Sequence, residues 1–156
     1  MAESPYRVEV FSSKAEISQL LAAIDCDTFG DLTKETRIRL GEALKSKVAR
    51  VTALFNGKLC GVSLITLNRR KSEAFGRWRA IAPESQGQGL INLLHTRELQ
   101  LCQDEGIAMV RSQGETLYGQ RSLEKLGFQP ATDRDPRDMI LDVNTALTKI
   151  ANQNIS

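Results

Sequence analysis

Residues 78–94 carry a strand-like run into a long helical pattern through the loop Pro83-Glu84-Ser85-Gln86-Gly87-Gln88-Gly89. No other stretch limits the fold as strongly. A strand that passes through glycines into a helix aims several backbone N–H groups at one spot. The glycines keep side chains off that spot, and the helix dipole makes it attractive to an anion. A phosphate or pyrophosphate is the natural guest. Two familiar phosphate loops fit poorly. A P-loop needs Gly-Lys-Ser/Thr at its end, and no lysine follows Gly89. A dinucleotide fingerprint needs a third glycine near the start of a domain, and here the third glycine is missing.

The flanking patterns set the architecture. Residues 6–11 alternate as a strand does. Ser13 and Glu16 have capping-box spacing ahead of Ile17, Leu20, Leu21 and Ile24. A second helix is expected over about 33–47, with Leu40, Ala43, Leu44 and Val48 on one face. Val51 to Phe55, the turn Asn56-Gly57, and Leu59 to Leu67 read as a hairpin. Residues 74–82 form a further strand ending at Pro83. The helix after the loop runs to about Glu105, and Gly106 ends it. Ile107 to Val110 is a short buried strand, 116–126 a helix stopped by Gly127, and Phe128 and Met139 to Val143 late strands. Asn144 is expected to cap a short last helix over 144–154. The order β-α-α-β-β-β-α-β-α-β-β implies an α/β (mixed α+β) fold with helices on both faces of a mixed sheet.

The chain has 156 residues, enough for one compact domain over 1–156. Net charge is +2, and the longest basic run is Arg69-Arg70-Lys71, so charge makes no case for nucleic acid or membrane. Cys26, Cys60 and Cys102 are odd in number and far apart, which argues against a disulfide framework or a zinc site; no metal is expected. There is no signal-peptide pattern at the start and no apolar run of membrane-spanning length, so a reducing cytoplasm is the expected location.

Residues 83–90 and their context resemble the GNAT-type N-acetyltransferase superfamily. Its cofactor loop reads Gln/Arg-x-x-Gly-x-Gly/Ala, commonly after Pro-Glu, and Pro83-Glu84-Ser85-Gln86-Gly87-Gln88-Gly89-Leu90 follows that pattern. The hairpin Ala53 to Gly61, the helix end Glu124-Lys125-Leu126-Gly127-Phe128 and the segment Arg137 to Leu141 extend the resemblance over about 50–143. It implies a mostly antiparallel sheet of six to seven strands and an acyl-CoA ligand, usually acetyl-CoA. It also implies roles for Gln86, Gly87, Gln88, Gly89, Leu90 and Ile91 at the cofactor, the backbone amides of 87–91 holding the pyrophosphate. Strand 78–82 would pair its free edge with the pantetheine amides. The N–H groups near Ile81 and Ala82 would hold the thioester oxygen as it gains charge. Two positions depart from the pattern. Ile91 stands where Gly or Ala is usual. Leu123 and Thr116 stand where the family often has a tyrosine acid and an asparagine.

Acyl transfer by direct attack in a ternary complex needs no enzyme nucleophile. It needs a neutral amine, a polarised thioester and a proton for the leaving thiolate. Positioned acid–base groups contribute roughly 10²–10⁴-fold. Tyr118 is the nearby phenol, and Glu73 and Glu115 are the candidate carboxylates; a packing tyrosine and solvated carboxylates are the plainer alternatives. Arg77 and Arg79 flank Trp78 and share one side of the strand, suited either to an anionic group of substrate or CoA or to salt bridges within the chain. Asp25, Asp27, Asp31 and Glu35 could attract a cationic amine or form a solvated loop. His95 is expected on a helix surface or partly buried. The expected function is transfer of acetyl from acetyl-CoA to a primary amine of a small molecule or protein; the alternative is a GNAT-like acyl-CoA-binding or regulatory module. Neither nucleic acid nor membrane is expected as a partner, and a homodimer is one assembly open to the chain.

Overall fold

The computed structural model describes residues 5–114, 117–132 and 134–155. In chain order the elements are β1 (Arg7–Phe11), α1 (Lys14–Ala22), a 3-10 turn (Gly30–Leu32), α2 (Thr33–Ala43), β2 (Ala49–Asn56), β3 (Lys58–Asn68), β4 (Glu73–Ile81), a second 3-10 turn (Pro83–Ser85), α3 (Ile91–Asp104), β5 (Met109–Gln113), α4 (Leu117–Lys125), β6 (Gln129–Pro130), β7 (Asp138–Asp142) and α5 (Val143–Ile155). The seven strands follow the order β1-β2-β3-β4-β5-β7-β6. The sheet is mostly antiparallel, with a parallel step between β4 and β5. The chain divides into two compact units. One holds the residues up to Ile65 together with Arg77–Arg97; the other holds Thr66–Gly76 and the residues from Glu98 onward.

In the first unit the capping box forms as expected. Ser13 Oγ accepts the Glu16 N–H at 3.1 Å, and Glu16 Oε1 accepts the Ser13 N–H at 3.0 Å. These backbone bonds hold the Glu16 carboxyl below its ordinary range. The helix so started buries Ile17 and Leu20. Helix α2 buries Thr36, Leu40 and Ala43 but ends at Ala43, short of the expected Lys47. The N–H groups of Lys45 and Ser46 reach back only three residues, to Glu42 and Ala43, and tighten the chain out of the helix. Val48 is consequently 42% exposed rather than on the buried face. Strand pairing resumes nearby, with Phe11 opposite Val51 and Val8 opposite Leu54.

Strand β4 has helices on both of its faces. Trp78 Nε1 donates to Thr36 Oγ1 of α2 at 2.8 Å, and the Arg39 guanidinium sits 5.5 Å from the indole ring centre. Ile81, three residues on and therefore on the opposite face, meets α3 instead. A Cβ placed on Gly61 of β3 would lie 3.0 Å from Ile81 Cδ1, 3.2 Å from Leu94 Cδ1 and 3.3 Å from Leu54 Cβ. Only glycine lets these three side chains close over the strand.

In the second unit β5 pairs antiparallel with β7 from Met109↔Asp142 to Gln113↔Asp138. Helix α3 ends with the Ile107 N–H on Cys102 O at 2.8 Å, and α4 with the Phe128 N–H on Leu123 O at 3.1 Å. These six-to-one bonds are the Schellman endings that Gly106 and Gly127 foretold. The first consumes Ile107, so β5 begins at Met109 rather than Ile107. The last helix begins one residue early, and its cap is Asp142, whose carboxylate accepts the Thr145 N–H at 2.8 Å. Asn144 Oδ1 is engaged by Gln103 Nε2 instead.

Two glycines give opposite expectations. Gly61→Ala overpacks the first unit and should cost about 1–3 kcal/mol in denaturant titration. Gly41 lies inside α2 with nothing within 4 Å of an added Cβ. Gly41→Ala should therefore raise stability by up to about 1 kcal/mol in the same measurement.

Candidate functional site

The end of β4 is pinned on both sides. The Ala82 N–H donates to Cys60 O of β3 at 2.8 Å. On the other side Gln86 turns back and its Nε2 donates to Ile81 O at 3.1 Å. A tight turn follows, with the Ser85 N–H on Ala82 O at 2.9 Å and the Gln86 N–H on Pro83 O at 3.3 Å. Helical bonding starts again when the Asn92 N–H reaches Gly89 O at 3.2 Å. The five amides in between, Gly87 to Ile91, donate to no acceptor among the described residues.

The glycines work through their backbone. Gly87 has φ 76° and Gly89 φ 71°, in the left-handed region. An added Cβ on Gly87 would meet nothing within 4 Å, and one on Gly89 only Asn92 Nδ2 at 3.9 Å. Side-chain clearance, the expected reason for glycine, is therefore secondary in this structure. The two left-handed turns let five successive amides stay out of the local ladder ahead of α3, which combines a row of donors with the positive end of a helix.

Side chains support the loop from outside. Gln88 Nε2 donates to Glu84 O at 3.1 Å, and Gln88 Oε1 accepts the Tyr6 hydroxyl at 3.0 Å. Lys58 Nζ pairs with Glu84 at 3.2 Å. Glu84 lies below the ordinary carboxylate range because of its own backbone N–H first and Lys58 second. Tyr6 and Lys58 were not legible as site residues; they are distant in sequence, and only the hairpin and β1 bring them here. A cleft of about 180 Å³ adjoins, lined by residues including Asp25, Asp27, Lys58 and Glu84. Its carboxylates are partly self-satisfied: Asp25 Oδ1 accepts Thr28 Oγ1 at 2.8 Å and the Asp27 N–H at 3.2 Å. Those contacts hold Asp25 down, Thr28 contributing most, whereas the Asp25 carboxylate pushes Asp27 up.

The residues expected at the site have mixed placements. Leu90 is buried, Ile91 is the half-buried first residue of α3, and Gly87, Gln88 and Gly89 are exposed. The Ala82 amide cannot serve as the oxyanion donor that the resemblance implies, because it is already spent on Cys60 O. Strand alternation turns the Ile81 N–H toward the other edge. In the second unit the β4–β5 register runs only from Glu73↔Met109 to Phe75↔Arg111. Glu73 is neither solvated nor a free base: its side chain is 17% exposed and pairs with Arg111 Nε at 3.2 Å. Tyr118 lies in α4, but its side chain, like Glu115 and Thr116, is outside the described residues. Leu123 is a core residue at 8% exposure, so packing occupies the position of the usual tyrosine.

Arg77 is exposed, and Arg79 is half-buried with Nε wholly covered. They share the Ile81 face of β4, opposite Trp78, and each already takes part in an interaction within the chain. His95 is 3% exposed, a buried residue rather than a surface one. Cys60 and Cys102 are buried, and burial raises both thiols, Cys102 to about 12. Among the described residues, no helix is long and apolar enough to cross a membrane.

With this geometry the chain has the fold of the GNAT acetyltransferases. An acetyltransferase assigned to that family from Desulfovibrio desulfuricans superimposes with a TM-score of 0.67 at 14% identity, covering 88% of this chain and 99% of its own. GCN5 from Tetrahymena gives 0.66 at 12% identity, covering 81% and 88%. The KacTA–DNA complex gives 0.71 at 16% identity, covering 94% and 99%. No protein-family model matches the sequence, and no curated protein matches it. Other structures with this fold contain AtaT–AtaR bound to DNA, AtaT with acetyl-methionyl-tRNAfMet, and an AtaT mutant with acetyl-CoA and the end of AtaR. The expectation that nucleic acid is no partner is thereby overturned. It rested on net charge, and proteins of this fold are found in complexes that contain DNA or RNA.

Substitution at Gly87 separates backbone strain from crowding. Gly87→Ala meets no atom yet must hold a left-handed φ, so it should lose about 1–2 kcal/mol by denaturant titration. Thiol labelling tests the burial: the native protein should take one label, at Cys26, and the denatured protein three.

Proposed function

We propose that the protein is an acyl-CoA-dependent N-acyltransferase that uses acetyl-CoA and a primary amine. The observation that carries this reading is the run of five amides, Gly87 to Ile91, without an acceptor at the start of α3. That donor row suits a pyrophosphate, as the GNAT resemblance implies. Gln86 holds the loop against the end of β4 and so positions those amides. The edge of β4 from Arg77 to Ile81 receives the pantetheine amides as an added strand would, and the Ile81 N–H polarises the thioester oxygen. The neutral amine attacks the carbonyl carbon, the C–S bond breaks, and the proton shed by the amine balances the one the thiolate gains. Tyr118 is our candidate for handing over that proton, and Arg77 and Arg79 for meeting an anionic group. Acceptors with this chemistry include small amines, protein amines and the free amino group of an amino acid esterified to RNA. The three free thiols support a reducing compartment such as the cytoplasm.

The buried Leu123 favours a second reading, an acyl-CoA-binding module without efficient turnover. Two measurements separate the cases. Acetyl-CoA at about 100 times its dissociation constant should stabilise the protein by about 2.7 kcal/mol. No thermal shift with any acyl-CoA at millimolar levels would sink both readings. If the shift is present, release of free CoA thiol in the presence of an amine panel supports the transferase, and its absence supports the module.

A further inference from the structure

The modest net charge of the chain conceals a local concentration of cations. Residues 33–50, which form α2 and the turn into β2, contain six of the 21 Lys and Arg and two of the 19 Asp and Glu. This stretch carries +4, and the remainder of the chain −2. Helical spacing sorts the charges by face. Thr33, Thr36, Leu40 and Ala43 are buried, whereas Lys34, Arg37 and Ile38 are exposed along the helix and Lys45 is exposed in the turn that follows it. Lys47 is exposed just beyond, and the Arg50 guanidinium is held beside it by the carbonyls of Lys47 and Ala49, at 3.1 and 3.0 Å.

Lys34, Arg37, Lys45 and Lys47 form no ion pair among the described residues. Of the two carboxylates in the stretch, Glu35 is taken by Arg39 at 2.9 Å, leaving Glu42. Asp25, Asp27 and Asp31 precede the helix and bound the patch on that side. A surface helix ordinarily intersperses opposite charges three or four residues apart. Here the outward face departs from that pattern on one side only, toward positive charge, and it includes Ile38 at 45% exposure. Helix α2 is also the element seated on β4 through Trp78, the strand that leads into the glycine loop.

We infer that this face of α2 and its following turn is a docking surface for RNA. A row of cations without carboxylate partners is complementary to a phosphate backbone, and affinity for it comes from counterion release. The choice of RNA over DNA rests on the proposed acyl transfer: RNA esterified by an amino acid carries the primary amine that the reaction consumes.

The test compares the native full chain with a variant carrying Lys34→Gln, Arg37→Gln, Lys45→Gln and Lys47→Gln. A control carries Arg70→Gln, Lys71→Gln, Arg121→Gln and Lys125→Gln, the same charge change at other exposed positions. Fluorescent deacylated transfer RNA is the probe, titrated at several salt concentrations. The α2 variant should bind about tenfold or more weakly, and its log–log salt slope should fall by roughly one per lost phosphate contact. The control should bind within about twofold of the native protein.

Equal loss in both variants, or unchanged binding and slope in the α2 variant, overturns the inference. So does equal or tighter binding of a DNA duplex or of poly-glutamate at matched charge. Unchanged melting temperature of the α2 variant identifies any loss as loss of contact. Its thermal shift with acetyl-CoA should be retained. RNA binding by a native protein that shows no shift with any acyl-CoA would remove both acyl-CoA readings and leave the surface standing.

Discussion

The structure turns on how β4 is allowed to end. Two hydrogen bonds clamp the strand terminus, the Ala82 N–H to Cys60 O from one side and the Gln86 side chain to Ile81 O from the other. Beyond that clamp the chain must become helix within a few residues. Gly87 and Gly89 make the conversion through left-handed conformations, which leave the amides of residues 87–91 outside any ladder. Unsatisfied donors are costly in a buried place and useful in an exposed one. Here most of the loop is exposed. The rest of the first unit holds the clamp still: Trp78 ties β4 to α2 on one face, and Ile81 and Leu94 close over Gly61 on the other.

The same economy extends to side chains named as candidates for catalysis. Of the side chains expected to do proton chemistry, Glu73 is committed to structure. Glu73 neutralises Arg111 across adjacent strands, and Leu123 packs in the core at the end of α4. A thioester can be attacked directly by a neutral amine when both are held in place, so positioning and oxyanion stabilisation can carry most of the acceleration. The row of backbone donors at residues 87–91 suits that division of labour.

Charge illustrates why a bulk quantity misleads. Net charge sums over the molecule and erases arrangement. The +4 of residues 33–50 is offset by acidic residues elsewhere, so a total of +2 carries no information about any one face. Recognition of a polyanion depends on local potential within about a Debye length, roughly 8–10 Å at ordinary salt. Exposure and ion pairing, which decide how many of those cations remain available, exist only once the helix has chosen its buried side.

Most of the element order was readable in the chain because its signals are short-ranged. A capping box, an Asn-Gly turn, two glycine helix endings and a glycine loop each act over three to six residues. Each formed where the residues called for it. The misplacements are of another kind. The early end of α2, the late start of β5 and the choice of Asp142 over Asn144 as cap were settled by competition for the same backbone groups. The Lys45 and Ser46 amides are drawn back to Glu42 and Ala43, Ile107 into the ending of α3, and Asn144 toward Gln103. The same holds for function. The loop whose amides lack an acceptor is local, and its conformation was legible in Gly87 and Gly89. The loss of the Ala82 amide, the pairing of Glu73, the burial of His95 and the support from Tyr6 and Lys58 join residues distant in sequence, and they arise only when strands and helices pack.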